Sequence, residues 1–242
     1  MGLYGGLKPE DWQRWGQFTT FKQNAPELLD RGSRITQIVY CSPLVDPYQP
    51  AEADDPHMPA ILRALIAHPP ARFVLQTRSP LCVRDVSLLV ELSAQTEVRV
   101  SFSLTTDREE IRRCYEPHCE PLTDRLAAIA ALRAAGIRTF ATLAPLLPSN
   151  PETLARLACE ATAEDLVGDP LHIRAVKKQG ATTRDAAFRI ADQHPDHRAW
   201  FDPKFQAETV QRIAAVAATY QRKFLTGPQG FRLLTGNEIH VA

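Results

Sequence analysis

Two stretches of this chain set a thiol, carboxylates, a guanidinium and hydroxyls at spacings that can meet in one pocket. The first begins with Cys41-Ser42 and continues through Asp46-Pro47-Tyr48-Gln49-Pro50-Ala51-Glu52; the second is Thr77-Arg78-Ser79. Ser101, Ser103, Thr105 and Thr106 add hydroxyls, and Ala144-Pro145 adds a rigid corner. A planar, always-charged guanidinium suits carboxylates, and hydroxyls with carboxylates suit a ribose or a zwitterion. Polar residues also mark ordinary strand ends where loops begin, and Asp-Pro and Gln-Pro are turn signals in their own right. The set therefore describes a polar pocket without naming a reaction. A free Cys such as Cys41 is commonly a buried, inert thiol; its reactivity depends on its surroundings.

Other groups of reactive residues are weaker. Cys114-Tyr115-Glu116-Pro117-His118-Cys119 fits no standard zinc spacing, and a fourth ligand is not evident. His194 and His197 have metal-like spacing but no second pair, which suits a solvated turn. Glu116 and Arg125 are spaced to form a structural ion pair across a loop–helix junction. Lys177, Lys178, Arg184 and Arg189 make a mildly basic stretch; without interleaved aromatics to stack on bases it reads as a solvated face, with nucleic acid a weaker alternative.

These residues need elements to carry them. Ile35 to Cys41, Phe73 to Thr77, Val98 to Leu104 and Ile137 to Leu143 are strand-like apolar runs, and residues 166 to 175 hold a broken fifth. Between them lie helical patterns at His57 to His68, Asp85 to Leu92, Leu122 to Ala135 and Pro151 to Ala163. Gly136 stands where a C-terminal cap belongs, and Asn150-Pro151 opens a helix as N-cap and first residue. Two more helices are expected near Thr182 to Gln193 and Ala207 to Lys223. Strand–helix alternation predicts an α/β fold with a parallel sheet, whose ligands sit at the C-terminal ends of the strands. That edge is where Cys41, Asp46, Arg78, Ser103 and Pro145 fall.

The 242 residues carry no net charge, with 28 basic and 28 acidic side chains, so no global field draws the chain to nucleic acid or anionic membrane. No apolar run approaches a membrane span, and the first residues lack signal-peptide organisation. Five cysteines at irregular spacing suit free thiols in a reducing cytoplasm. The sequence predicts no membrane partner.

Six strings, in order over residues 22 to 148, resemble the radical S-adenosylmethionine (SAM) proteins of the spore-photoproduct-lyase-like group. Lys22-Gln23-Asn24-Ala25-Pro26-Glu27-Leu28-Leu29 is similar to K-x-N-A-P-E-L-L. Val45 to Glu52 resembles T-D-P-Y-Q-P-x-E, with Val45 for Thr. Thr77 to Asp85 resembles T-K-S-x-L-x-x-R-D, with Arg78 for Lys. Ser101 to Thr106 resembles the strand carrying a SAM-contacting serine. Glu116-Pro117, Pro121 and Arg125-Leu126 resemble E-P-x-x-P…R-L, and Ala144 to Pro148 resembles A-P-I-x-P.

The resemblance implies a partial (β/α) TIM-type barrel over residues 1–175, lacking the first strand and cluster loop, with a helical C-terminal extension over 176–242. It implies SAM across the strand ends, with Arg78, Ser103, Ser101 and Asp46 as cofactor-binding residues. Cys41 would be the catalytic residue, relaying a hydrogen atom. The family's 4Fe–4S cluster cleaves SAM to a 5′-deoxyadenosyl radical, fed by an electron-donor reductase. Its C-x3-C-x2-C motif is absent here and would lie before residue 1, so this sequence offers no metal ligands. The chain is then a shortened or mis-started enzyme, a descendant that lost its cluster, or one using other cysteines. The competing class is a cluster-free barrel binding a nucleoside-like ligand or a protein partner. A metal-dependent hydrolase barrel would need more His and carboxylates at the strand ends.

Overall fold

The computed structural model describes residues 19–32, 36–41, 45–172 and 185–236. In chain order these form α1 (Ala25–Gly32), β1 (Ile38–Cys41), α2 (Ala51–Asp54), α3 (Met58–Ala67), β2 (Arg72–Thr77), a 3₁₀ helix (Pro80–Asp85), α4 (Val86–Ser93) and β3 (Glu97–Ser103). There follow α5 (Glu109–Tyr115), α6 (Leu122–Ala134), β4 (Arg138–Leu146), α7 (Pro151–Ala161), β5 (Leu166–Pro170), α8 (Asp185–Ala191), a second 3₁₀ helix (Pro195–Phe201), α9 (Pro203–Thr219), β6 (Phe224–Thr226) and α10 (Gly227–Thr235). The strands form one six-stranded, all-parallel sheet in unbroken order β1-β2-β3-β4-β5-β6. Among the described residues no pairing joins β6 back to β1.

Local chemistry accounts for the helix ends. The Asn150 side chain accepts the Thr153 N–H at 2.9 Å and Pro151 occupies the first turn of α7, where its missing N–H costs nothing. Asp202 caps α9 likewise, accepting from Lys204 and Phe205. α6 ends before Gly136, whose φ of +78° suits glycine alone.

Strand alternation divides the core. Phe73 and Leu75 of β2, with Val98, Val100 and Phe102 of β3, point toward the helices and pack with Leu62, Leu65, Leu89, Leu92, Ile129, Leu132 and Leu154. Each fully buried Leu or Phe contributes roughly 2 kcal/mol. The other face carries Val74, Phe140 and Val167, covered by Leu234 of α10 with Phe231 and Leu233 alongside. Two arginines fix α10 there. Arg72 donates to the Thr235 carbonyl, and Arg99 donates to those of Leu233 and Leu234, so cations meet the negative end of the helix. Glu97 in turn pairs with Arg72, Arg99 and Arg138.

The α/β class and parallel sheet follow the sequence expectation. Three details differ. β4 runs on to Leu146, because its pairing with β5 resumes at Leu146 after a register shift past Leu143. The segment expected to be a helical extension also contributes β6, which pairs with β5 and so enlarges the sheet itself. α5 and α10 arise where no periodic signal marked a helix. The expected boundary at residues 175 and 176 lies outside the described residues, as do Ser42, Lys177, Lys178 and Arg184. Among the described residues no helix is long and apolar enough to cross a membrane.

Candidate functional site

The C-terminal edge of the sheet is organised by Asp46. Its Oδ1 accepts the Tyr48 N–H at 2.9 Å and the Thr77 hydroxyl at 2.8 Å, and its Oδ2 accepts the Arg78 N–H at 2.7 Å. Asp-Pro makes the turn, and the aspartate ties it to the end of β2. This carboxylate, a candidate cofactor contact in the sequence, is thus engaged with three protein groups and sets where Arg78 leaves the strand.

The head of Arg78 is held as well. Its Nη1 pairs with Glu116 Oε1, while Glu116 Oε2 accepts from Arg125 Nη2 at 2.8 Å. Burial works against ionisation of Glu116, but the two guanidiniums outweigh it and hold the carboxyl below its usual range. For Arg78, burial disfavours the charge, but Glu116, Cys119 and Asp46 more than compensate and raise the pKa. The loop bearing Glu116 is itself braced. Arg112 bonds the Glu109 carboxylate at 2.8 Å and the Glu116 carbonyl at 3.0 Å, and Ser79 donates to Glu120 at 2.9 Å.

Ser101 and Ser103 lie on the sheet face that α10 covers further down, since they alternate with Val100 and Phe102 on the helix side. Ser101 and Thr142 exchange a hydroxyl hydrogen bond at 2.5 Å, and register places Ser101 beside Gln76, which accepts from Tyr40 at 2.8 Å. Both serines are buried. Above the apolar patch on α10, this face therefore turns polar toward the C-terminal edge of the sheet.

Cys41 is placed differently. In register with Leu75, it packs against the core beneath the helices, on the face opposite Ser101 and Ser103. Burial pushes its thiol up to about 12, with Asp46 and Glu52 adding to the effect, so it keeps its proton at neutral pH. Of the five candidate residues, Asp46 and Arg78 are brought into direct contact and Ser101 and Ser103 share one face, while Cys41 stands behind the sheet.

A second polar knot supports the edge. Buried Glu52 accepts the N–H groups of His57 and Met58 at 3.0 and 2.8 Å and pairs with Arg84 at 2.8 Å. Arg84 also binds Asp85, which accepts the buried Tyr48 hydroxyl at 3.0 Å. The Tyr-Gln-Pro-Ala-Glu and Arg-Asp strings thus bond to each other, bracing the edge from behind.

Two groupings escaped the sequence reading. Asp169, near the end of β5, is buried, and His172 Nε2 lies 3.5 Å from its Oδ1; a carboxylate followed three residues later by a histidine at a strand end was the available signal. On the outside, Cys114 Sγ and His194 Nε2 approach to 3.6 Å, Tyr115 and His197 bond at 3.0 Å, and the two imidazoles stack with centroids 4.9 Å apart. Among the described residues no group of three or more His, Cys, Asp and Glu is arranged to hold a metal ion.

No protein-family model matches the chain. It is similar to an uncharacterized protein of Mycobacterium tuberculosis, 30% identical over 209 residues covering 80% of this chain and 60% of the relative, and equally to one of Mycobacterium bovis. An uncharacterized protein of Methanocaldococcus jannaschii is 25% identical over 138 residues, covering 57% of this chain and 51% of that protein. The chain thus spans about 60% of the length of the mycobacterial relatives it matches.

Proposed function

We propose that the C-terminal edge of this sheet binds S-adenosylmethionine, and that the chain is the SAM-binding part of a radical SAM protein of the spore-photoproduct-lyase-like group. Its fold is then a partial (β/α) barrel, with the α10 face as the inside. The observation that carries this reading is Arg78, fixed by Asp46 at its backbone and by Glu116 at its head, at the same sheet edge as the serines of β3. Arg78 takes the carboxylate of the amino-acid end of SAM, and Ser103 and Ser101 contact the nucleoside. A strand order without reversal, with α3, α4, α6, α7 and α9 packed on one face and α10 alone on the other, supports the barrel, because a doubly wound sheet reverses its order.

The described residues do not fit a 4Fe–4S cluster. Cys41, Cys82 and Cys159 belong to the helix-side core, and Cys114 and Cys119 flank a loop of arginine–carboxylate pairs. No chemical step is therefore assigned to a cluster held by these residues. The protonated thiol of Cys41 suits a hydrogen-atom donor, whereas its place on the helix face favours a structural thiol. The second reading is a cluster-free barrel that binds a nucleoside-like ligand or a protein partner.

Equilibrium binding of SAM and of adenosine to the purified chain tests the proposal. Saturable one-to-one binding of SAM, weakened by Ser103→Val, is the expected result. Equal binding of adenosine and SAM favours the cluster-free nucleoside binder, and binding of neither ends the SAM and nucleoside readings and leaves the barrel with a protein partner. Intact mass and iron content of the protein isolated anaerobically from its source then separate a longer, cluster-bearing enzyme from this chain acting alone.

A further inference from the structure

We infer that Glu116 is a positioning residue that makes Arg78 a receptor for the zwitterionic amino-acid end of a ligand; this rests on the SAM-binding reading above. Glu116 divides its two oxygens between Arg78 and Arg125. Of these three side chains, Arg125 is 2% exposed and Glu116 7%, whereas Arg78 is 29% exposed. Only Arg78 can reach a ligand. The inner pair acts on it by holding its guanidinium plane.

A lone arginine on a strand end has many rotamers and loses that freedom on binding. Here the cost is met in the free protein. The backbone N–H is fixed on Asp46 and one terminal nitrogen on Glu116, while Arg112 bonds the Glu116 and Cys119 carbonyls and keeps the loop in place. Arginine has five N–H donors in a planar fork, so the contacts with Glu116 and Cys119 orient the guanidinium and still leave N–H groups for a carboxylate. Lysine, with a single ammonium, could not serve Glu116 and a ligand carboxylate with the same directionality.

The surroundings also select the ligand's charge. Asp46, Glu116 and Glu120 all lie around Arg78 or its neighbour Ser79. Arg78 and Arg125 together offset Glu116, and the carboxylates of Asp46 and Glu120 leave no surplus of positive charge for a phosphate dianion. A zwitterion brings one negative charge to the fork and an ammonium that those carboxylates tolerate. The chemical class is therefore an α-amino-acid end rather than a phosphate.

The test compares S-adenosylhomocysteine with 5′-methylthioadenosine, which keeps the nucleoside and thioether but lacks the amino-acid end, by calorimetry on the full chain. The wild-type protein should prefer S-adenosylhomocysteine. Glu116→Gln should weaken that ligand roughly tenfold, as expected for a misdirected charge-assisted hydrogen bond. Methylthioadenosine affinity should stay within about twofold. Because Glu116→Gln leaves Arg125 buried without its partner, the paired variant Glu116→Leu with Arg125→Met removes both charges together. It should show the same collapsed preference, and Arg78→Ala sets the limit. Thermal melts verify that each protein is folded. If both Glu116 variants keep the wild-type preference, Glu116 is merely structural and the inference falls. If the wild type binds the two nucleosides equally, Arg78 does not meet an amino-acid end, and the inference falls while nucleoside binding stands. If the wild type binds neither, the SAM reading falls and takes the inference with it.

Discussion

The Asp46 carboxylate accepts the backbone N–H of Arg78 at 2.7 Å across 32 residues of sequence, so the turn after β1 determines where β2 releases its guanidinium. Asp46→Asn keeps one acceptor but loses the charge shared among three donors. It should cost about 1–3 kcal/mol of stability, the scale of a lost charge-assisted bond with a donor left unsatisfied. Denaturant unfolding measures this. SAM affinity should fall with it, toward the level of Arg78→Ala.

Glu52 predicts a larger loss than a surface pair of the same type. Its 1%-exposed side chain meets two backbone N–H groups and the Arg84 guanidinium. Glu52→Ala should destabilise by about 3 kcal/mol, because it leaves buried donors without an acceptor. Arg212 and Glu152 also pair bidentately, but on the surface between α9 and α7. Arg212→Ala should therefore cost under about 1 kcal/mol. Similar losses for the two variants in chemical denaturation would contradict this ranking.

Acid should loosen the contact between α5 and the Pro195–Phe201 helix. His197 is held below its ordinary value of 6.5, by burial first and then by His194 and Arg108, with Asp196 opposing. A base with a lowered folded-state pKa binds a proton more readily when unfolded. Its contribution is therefore complete above about pH 6.5 and is lost as pH falls through the folded pKa. The depressed carboxyl of Glu116 extends the loss into the acid range, since its contribution is present above the usual carboxylate pKa and disappears as it protonates. Melting temperature should decline below about pH 6.5, and His197→Asn should flatten the upper part of that decline.

Thiol labelling separates the two readings of Cys41. With its pKa pushed up to about 12 by burial, and Cys82 raised by burial as well, neither should react with iodoacetamide in the native protein at neutral pH, while denaturant should expose all five cysteines. Cys41→Ala should fold with a modest loss of stability and unchanged SAM affinity. If the longer enzyme turns over a substrate and this variant retains that turnover, Cys41 is a core thiol and not a hydrogen-atom relay.

Much of the sheet was legible because its elements carry local signals. Asn150-Pro151 opens α7 and Gly136 closes α6 as their chemistry requires. The Glu116–Arg125 pair was readable from nine residues of separation across a loop–helix junction. That Arg78 shares the same carboxylate was not, since the two stand 38 positions apart and only the sheet brings them together. The orientation of Cys41 was hidden for another reason: Ile38–Cys41 lacks the polar–apolar contrast that reveals which residues share a face. β6 has three residues, too few for any period. α10, with two glycines and a proline in nine residues, has poor intrinsic propensity and owes its place to docking against Arg72 and Arg99.

The docking of α10 has a consequence for the order of assembly. Arg72 meets a carbonyl 163 residues further along the chain, one of the longest loops the fold must close. A growing polypeptide can build the helix-side core of the early strands while their other face still lacks its cover. Until α10 emerges from the ribosome, Val74 and Phe140 remain open to solvent or to chaperones.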